Sequence, residues 1–381
     1  MKFVVSSSTL LKQLSAINGV IASNPVVPIL ENFLCEIQNG SLKITASDLQ
    51  TTIMTELEVD AQERGSIAVP AKILIETLKN LPEQPVTFTI DETSYNIEIH
   101  SENGHYRLSG ENATDFPKVP AVEDGNTVEV PADVLAHAVS NTLFATSSDE
   151  LRPAMTGVFI NLNGQGSTFV ATDGHRLVRY RRTDVSGGIA GKSSIIIPRK
   201  ALNLLKAVLP SENTAVSMRY NASNAFFQFS GSVGSNIQMV CRLIDERYPD
   251  YENVIPQDNQ NEMTINRQDF LSSLKRIAIY ANKTTHQVRL KIDGSQLHIS
   301  AEDLDFSNEA NETLNCDHQG EDLEIGFNAR FLIEMLNNIE SEEVTFKFSQ
   351  PNRAGLIVPS ETNESEEVLM LVMPVMLSNY V

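Results

Sequence analysis

The chain has 381 residues, 41% of them hydrophobic and 20% charged, and its 29 Lys or Arg against 49 Asp or Glu give a formal charge of −20. This length exceeds what one hydrophobic core normally supports and predicts two or three domains, while the lack of any run of about 18 apolar residues excludes a membrane-spanning helix. An acidic chain is also a poor nucleic-acid ligand unless its positive charges are segregated, because phosphate binding relies on Lys and Arg.

The N-terminal "MKFVVSSSTLLKQL" has one basic residue and only a short apolar run before its serines. This is too little for a signal-peptide core, so a cytoplasmic protein is expected. A first strand and an amphipathic helix follow in "KFVVSSSTLLKQLSAINGVI", with Leu10, Leu14, Ile17 and Ile21 at helical spacing. "NFLCEIQNGSLKITASDLQ" then alternates like a hairpin around a turn that tolerates positive φ. "SIAVPAKILIETLKNLP" reads as strand, turn and helix.

The same order recurs in "VEVPADVLAHAVSNTLFA", "GVFINLNGQGSTFVATDGHRL" and "SIIIPRKALNLLKAVLP". It appears a third time in "MTINRQDFLSSLKRIAIYA", "QVRLKIDGSQLHISAEDLDF" and "LEIGFNARFLIEMLNNI". A period near 130 residues therefore predicts three tandem α+β modules, spanning 1–124, 125–255 and 256–381, each an approximate doubling of β-α-β-β. Pro70, Pro131 and Pro198 sit just before or at a first helical turn, where the missing N–H costs little.

Six helices are expected over 9–21, 71–81, 132–146, 199–209, 267–282 and 328–339. They hold ten Lys or Arg against four Asp or Glu, a charge of +6 that leaves −26 for the remainder of the chain. Arg199, Asn203 and Lys206 share one side of the fourth helix, opposite Leu202, Leu205 and Leu209. On charge alone an ordinary solvated face explains this as well as a polyanion does.

In "VATDGHRLV", Asp173 and His175 resemble an acid–base pair, which keeps a hydrolase reading open. Against it, Asp48, Asp173 and Asp303 follow the same strand in all three modules, as a turn residue would. No GxSxG or HExxH motif supplies a nucleophile or metal. "SGGIAGKSS", Ser186 to Ser194, approaches a phosphate-binding loop but leads into the strand-like "IIIP" rather than a helix. Cys35, Cys241 and Cys316 lie far apart without CxxC spacing, so reduced, mostly buried thiols are expected, with no metal and no cofactor.

"LRPAMTGV", "TFVATDGHRL", "PRKALNLL", "RYPDYENVIP" and "VLMLVMPVML" occur in this order, and with the threefold repeat the whole chain resembles the bacterial β sliding clamps, processivity subunits of DNA polymerase III. The resemblance implies an α+β fold of three DNA-clamp modules, each with two helices packed on antiparallel sheets, and a head-to-tail homodimer forming a six-domain ring. It implies a non-catalytic protein that encircles double-stranded DNA without reading sequence. The replicative polymerase, the clamp loader, and other polymerases and repair proteins would dock through short linear motifs. A DNA-independent interaction scaffold is the remaining alternative.

Residue by residue, the resemblance implies a peptide pocket of Arg152, Met155, Thr172, Gly174, His175, Arg176, Leu177, Pro249, Val254, Val372, Met373, Pro374, Val375 and Met376. DNA would face Lys12, Lys72, Lys79, Arg199, Lys200, Lys206, Arg267, Lys275 and Arg276. The dimer seam would join Tyr106 and Leu108 to Ile279 and Tyr280, with Lys72 near Glu302, Asp303 and Asp305. The chain departs from the family at Asn24, Ala154, Asn253 and Met376, and Ser378 to Val381 extend past the customary end.

Overall fold

The computed structural model describes residues 1–61, 63–120, 125–185, 193–211, 214–231, 235–361 and 363–377. Residues 186–192, with most of the phosphate-loop lookalike, and residues 378–381 lie outside the described residues. The residues that follow the motif form the strand Ser193–Pro198 rather than a helix.

Each expected helix is present, and most are shorter than their apolar pattern: α1 (Ser7–Ile17), α2 (Ala71–Lys79), α3 (Ala132–Leu143), α4 (Arg199–Val208), α5 (Arg267–Ile277) and α6 (Ala329–Asn337). Polar caps set several starts. Ser6, Asn266 and Asn328 accept backbone hydrogen bonds from Thr9, Asp269 and Arg330, satisfying donors that the first helical turn cannot pair internally.

The chain divides into two compact units, Met1–Ala136 with Lys200–Leu243, and His137–Arg199 with Ile244–Val381. In the first unit α1 packs on α2. Leu10, Leu14 and Ile17 of α1 and Leu74, Ile75 and Leu78 of α2 are buried, each contributing roughly 1.5–3 kcal/mol. An eight-stranded antiparallel sheet runs from Asn126–Pro131 at one edge to Gly65–Pro70 at the other. It joins the first and middle modules where Asn236–Arg242 pairs with Thr51–Glu58 over six register pairs. A five-stranded sheet ends on the edge strand His105–Ser109.

In the second unit α5 packs on α6, burying Phe270, Leu274 and Ile277 against Leu332, Met335 and Leu336. A nine-stranded sheet joins the middle and third modules through Arg176–Arg182 and Glu366–Val372, which pair over seven residues. A four-stranded sheet ends on Asn308–Asn315.

The three thiols are free, with Cys35 and Cys241 buried and Cys316 half-buried. Burial pushes Cys35 and Cys241 up to about 12. Because the thiolate is the reactive form, one thiol per folded chain, that of Cys316, is expected to react with a colorimetric disulfide reagent at about pH 8. The other two should appear only on unfolding, and rapid reaction of all three in the native protein would contradict this burial.

Candidate functional site

The loop after the strand Gly166–Thr172 is tied down by its own polar groups. Asp173 Oδ1 accepts the backbone N–H of His175 at 2.9 Å and of Arg176 at 3.0 Å. Thr172 Oγ1 donates to the Arg176 carbonyl at 2.6 Å and accepts from the Gly174 N–H at 3.1 Å. Gly174 has φ 92°, a backbone conformation that favours glycine, whereas the nearest atom to a Cβ there, Arg152 Nη1 at 2.8 Å, is the end of a flexible exposed side chain that could give way.

Asp48 and Asp303 accept backbone N–H groups in the same way, from Gln50 and Thr51 and from Asp305. The repeated aspartate is a turn residue in every module. Asp173 Oδ2 is taken by Arg176 Nε at 3.1 Å, and the His175 ring stacks over Phe331 at 6.2 Å. The Asp173–His175 pair therefore lacks the side-chain hydrogen bond that an acid–base dyad requires.

Arg176 is only 7% exposed. Its guanidinium bonds Asp173, Glu334 and the Phe144 carbonyl, the last at 2.7 Å, and lies 4.7 Å from the centroid of Phe331 and 5.4 Å from that of Phe144. Pairing, hydrogen bonding and aromatic faces together offset its desolvation. Phe144, Phe331 and Glu334 are absent from the sequence-derived site. Their separations from Arg176 follow no local spacing rule, and only the fold brings them together.

The terminal strand runs beside this loop. Arg176 pairs with Val372 and Leu177 with Leu371, the Met373 N–H donates to the His175 carbonyl at 2.8 Å, and the Val375 N–H donates to the Gly326 carbonyl at 2.8 Å. Beneath lies a buried cluster that includes Val170, Leu177, Ile196, Tyr248, Leu356 and Leu371. Leu177, a member of this cluster, and Val372 are both buried.

Met373 and Met376 are 42% and 62% exposed, Val254 is exposed on the short helix Glu252–Val254, and Met155, Pro249, Pro374 and Val375 are half-buried. Arg152 stands beside Gly174 and pairs with Asp149 at 2.9 Å. A Leu151 N–H bond and then Arg152 hold the Asp149 carboxyl below its ordinary range. Flexible thioethers exposed beside a rigid apolar cluster suit adaptable binding of an apolar side chain.

The helix cations divide into two groups. Lys12, Lys72, Lys79 and Lys206 are exposed and have no ion pair among the described residues. Others are engaged within the fold: Lys200 pairs with Asp48, and Arg276 forms a two-pronged bond to Glu312 at 2.6 and 2.7 Å. Lys275 reaches Asn337 at 3.4 Å, and Arg267 donates to the Leu336 and Ser341 carbonyls. Arg267 caps the end of α6, a role its position at the start of another helix does not reveal. Arg199 is exposed at the first position of α4.

Of the expected seam residues, Leu108 is buried within its own sheet, Tyr106 is half-buried, and Ile279 and Tyr280 are exposed at 74% and 43%. Glu302 and Asp305 are exposed, whereas Asp303 is buried and accepts from Asn282 and the Asp305 backbone. Leu304 and Phe306, which the sequence reading did not single out, are exposed apolar side chains at 83% and 66%. They fall in a segment whose carboxylates dominate its sequence.

Three family models match in succession: the DNA polymerase III beta subunit N-terminal domain over 1–120, its central domain over 129–250 and its C-terminal domain over 252–375. The beta sliding clamp of Synechococcus elongatus is 28% identical over 386 residues, covering 99% of this chain and all of the relative. That of Vibrio cholerae is 27% identical over 378 residues with the same coverage. A Pseudomonas aeruginosa sliding clamp solved bound to griselimycin superposes with a TM-score of 0.91 at 27% identity, and one from Bartonella birtlesii, also with griselimycin, with 0.90 at 30%; each covers 99% of this chain and all of the solved one. Three clamp modules matched in order along one chain, with no acid–base dyad at the loop that resembled one, place the chain in the DNA polymerase III beta subunit family, the bacterial sliding clamps.

Proposed function

We infer that this chain is the non-catalytic subunit of a sliding clamp whose six-module ring, closed by two copies, encircles double-stranded DNA and tethers the replicative polymerase. The modules divide near 124/125 and 255/256. The exposed helix lysines Lys12, Lys72, Lys79 and Lys206 support the DNA-facing role, because cations not held by a carboxylate remain available to phosphates. The paired Lys200, Arg276 and Arg267 contribute less. The remaining acidity repels DNA elsewhere and leaves the contact weak enough to slide.

The ring closes between the edge strands His105–Ser109 of one copy and Asn308–Asn315 of another, flanked by Tyr106 on one side and Ile279, Tyr280, Leu304 and Phe306 on the other. Unpaired strand edges invite such addition, and an aromatic and aliphatic centre is typical of a stable interface. Short linear motifs of polymerases, the clamp loader and repair proteins dock around Gly174, His175, Met155, Pro249, Val254, Met373 and Met376. Arg176 sets the loop behind them. The observation that carries this reading is the Met373 N–H bond to the His175 carbonyl, which joins the end of the third module to the loop peculiar to the middle one.

Loaded onto nicked circular DNA by its cognate loader, the protein is expected to stay associated through gel filtration and to be released when the circle is cut. Retention on the linear product at moderate salt would indicate chemical binding instead and reject the ring. A DNA-independent scaffold would give no retention on either form.

A further inference from the structure

The strands Asn96–His100 and His105–Ser109 form a hairpin closed by the Ser101 N–H bond to the Gly104 carbonyl at 2.9 Å. Their register sets His100 directly opposite His105 and Glu98 directly opposite Arg107. Ile97, Ile99 and Leu108 point into the core, so these four polar residues share the other, solvent-facing side. The imidazoles stack with centroids 4.5 Å apart. Glu98 Oε2 lies 3.7 Å from His100 Nε2 and 3.8 Å from His105 Nε2, and one ligand atom from each of the three residues falls within 4.8 Å of the others.

We propose that Glu98, His100 and His105 form a binding site for a divalent transition-metal ion of the zinc class, built across the edge hairpin of the first module. Two atoms bound to one tetrahedral zinc at about 2.0–2.1 Å lie about 3.4 Å apart, so the histidine-to-carboxylate distances need to close by only a few tenths of an ångström. Two imidazoles with one carboxylate suit zinc, nickel or copper, whereas magnesium and calcium take oxygen donors.

The carboxylate is already oriented for this task. Arg107 Nη2 donates to Glu98 Oε1 at 2.7 Å, leaving Oε2 turned toward both rings, as an outer-shell partner does for a ligating carboxylate. The three ligands leave a tetrahedral ion one open position, available to water or to a side chain from outside the hairpin. The site is contained in one chain and does not depend on the ring.

The test is calorimetric titration of the full chain with zinc chloride, in parallel with magnesium chloride. Wild type is expected to bind one zinc per chain saturably and to show no comparable response to magnesium. His100→Ala and His105→Ala should each weaken binding by at least about 10-fold and the double variant should abolish it; Arg107→Ala, which removes only the orienting bond, should weaken it by about 10-fold. Glu98→Gln preserves shape and should also weaken binding, while His298→Ala, in the third module, should leave it unchanged. Equal zinc affinity in the His100/His105 double variant, absence of saturable binding in wild type, or equal affinity for magnesium would each overturn the proposal. These side chains are solvent-facing, so a native circular dichroism spectrum should accompany every variant.

Discussion

Replacing Arg176 with alanine is expected to destabilise the ladder between Arg176–Arg182 and Glu366–Val372 by about 3 kcal/mol and to weaken capture of a linear-motif peptide by at least ~10-fold. The guanidinium serves Asp173, Glu334 and the Phe144 carbonyl at once and separates two aromatic rings. Removing it leaves a carboxylate oxygen and a carbonyl without their donor in a shielded site. Glu334, half exposed, returns to water at little cost. Arg176→Lys should recover only part of the loss, since an ammonium lacks the planar fork that reaches three acceptors. Hydrogen exchange of both strands, with fluorescence anisotropy of a labelled peptide, measures the two effects. Wild-type protection and affinity in Arg176→Ala would dismiss the network as incidental.

A second large effect is expected from a residue outside every proposed contact. A Cβ at Gly326 would sit 2.5 Å from the Val375 carbonyl oxygen and 2.8 Å from Leu377 Cδ2. Gly326→Ala must therefore lift the segment bearing Met373 and Met376, breaking the Val375–Gly326 bond and exposing Leu377, at about 2–3 kcal/mol in total. Because this segment follows the last strand, it can detach without unfolding the module. Peptide affinity should consequently fall by at least ~10-fold, and the melting temperature by a few degrees. Rapid exchange of the Val375 amide in the variant is the matching signature, and unchanged peptide affinity would exclude this segment from the docking surface. The burial of Leu377 also makes point changes cleaner than removing the residues after Val372, which would strip packing from the third module.

The parts of the fold legible in the sequence are those fixed by local stereochemistry. Asn39 and Gly40 adopt φ 54° and 78° in the first hairpin, and Gly294 adopts 54° in the third, where the turn residues announced them. Helix ends were less legible. The apolar pattern continues to Ile21, yet α1 ends at Ile17 and passes into a 3-10 turn. Ile279 and Tyr280 likewise lie beyond α5, exposed rather than on its buried face. Periodicity records that a residue is apolar without recording which surface it serves.

The site was legible where it is local and obscure where it is assembled at long range. Thr172, Gly174, His175 and Arg176 fall within five consecutive residues and could be named together, whereas Phe331 and Glu334 lie more than a module away in sequence. His100 and His105 of the first-module hairpin carry no sequence signal for a related reason. A five-residue spacing matches no metal motif until hairpin register turns it into a facing pair. Arg267 shows the reverse error, since an arginine on a helix counts as positive surface in sequence even when its donors are spent on carbonyls.

The ladders joining Thr51–Glu58 to Asn236–Arg242 and Arg176–Arg182 to Glu366–Val372 separate two meanings of modularity. The repeat, a copy of about 130 residues, is the unit of ancestry. Compactness has different borders, because the middle copy gives four strands to the eight-stranded sheet and four to the nine-stranded one, so its halves belong to different compact units. Excising that copy would therefore not leave two intact beads on a shortened string. It would strip a neighbour from a strand in each flanking copy, exposing the backbone edges that promote aggregation. Once such strand sharing arose, the three copies could no longer be lost or reshuffled independently, which makes the number of repeats as hard to change as the fold itself.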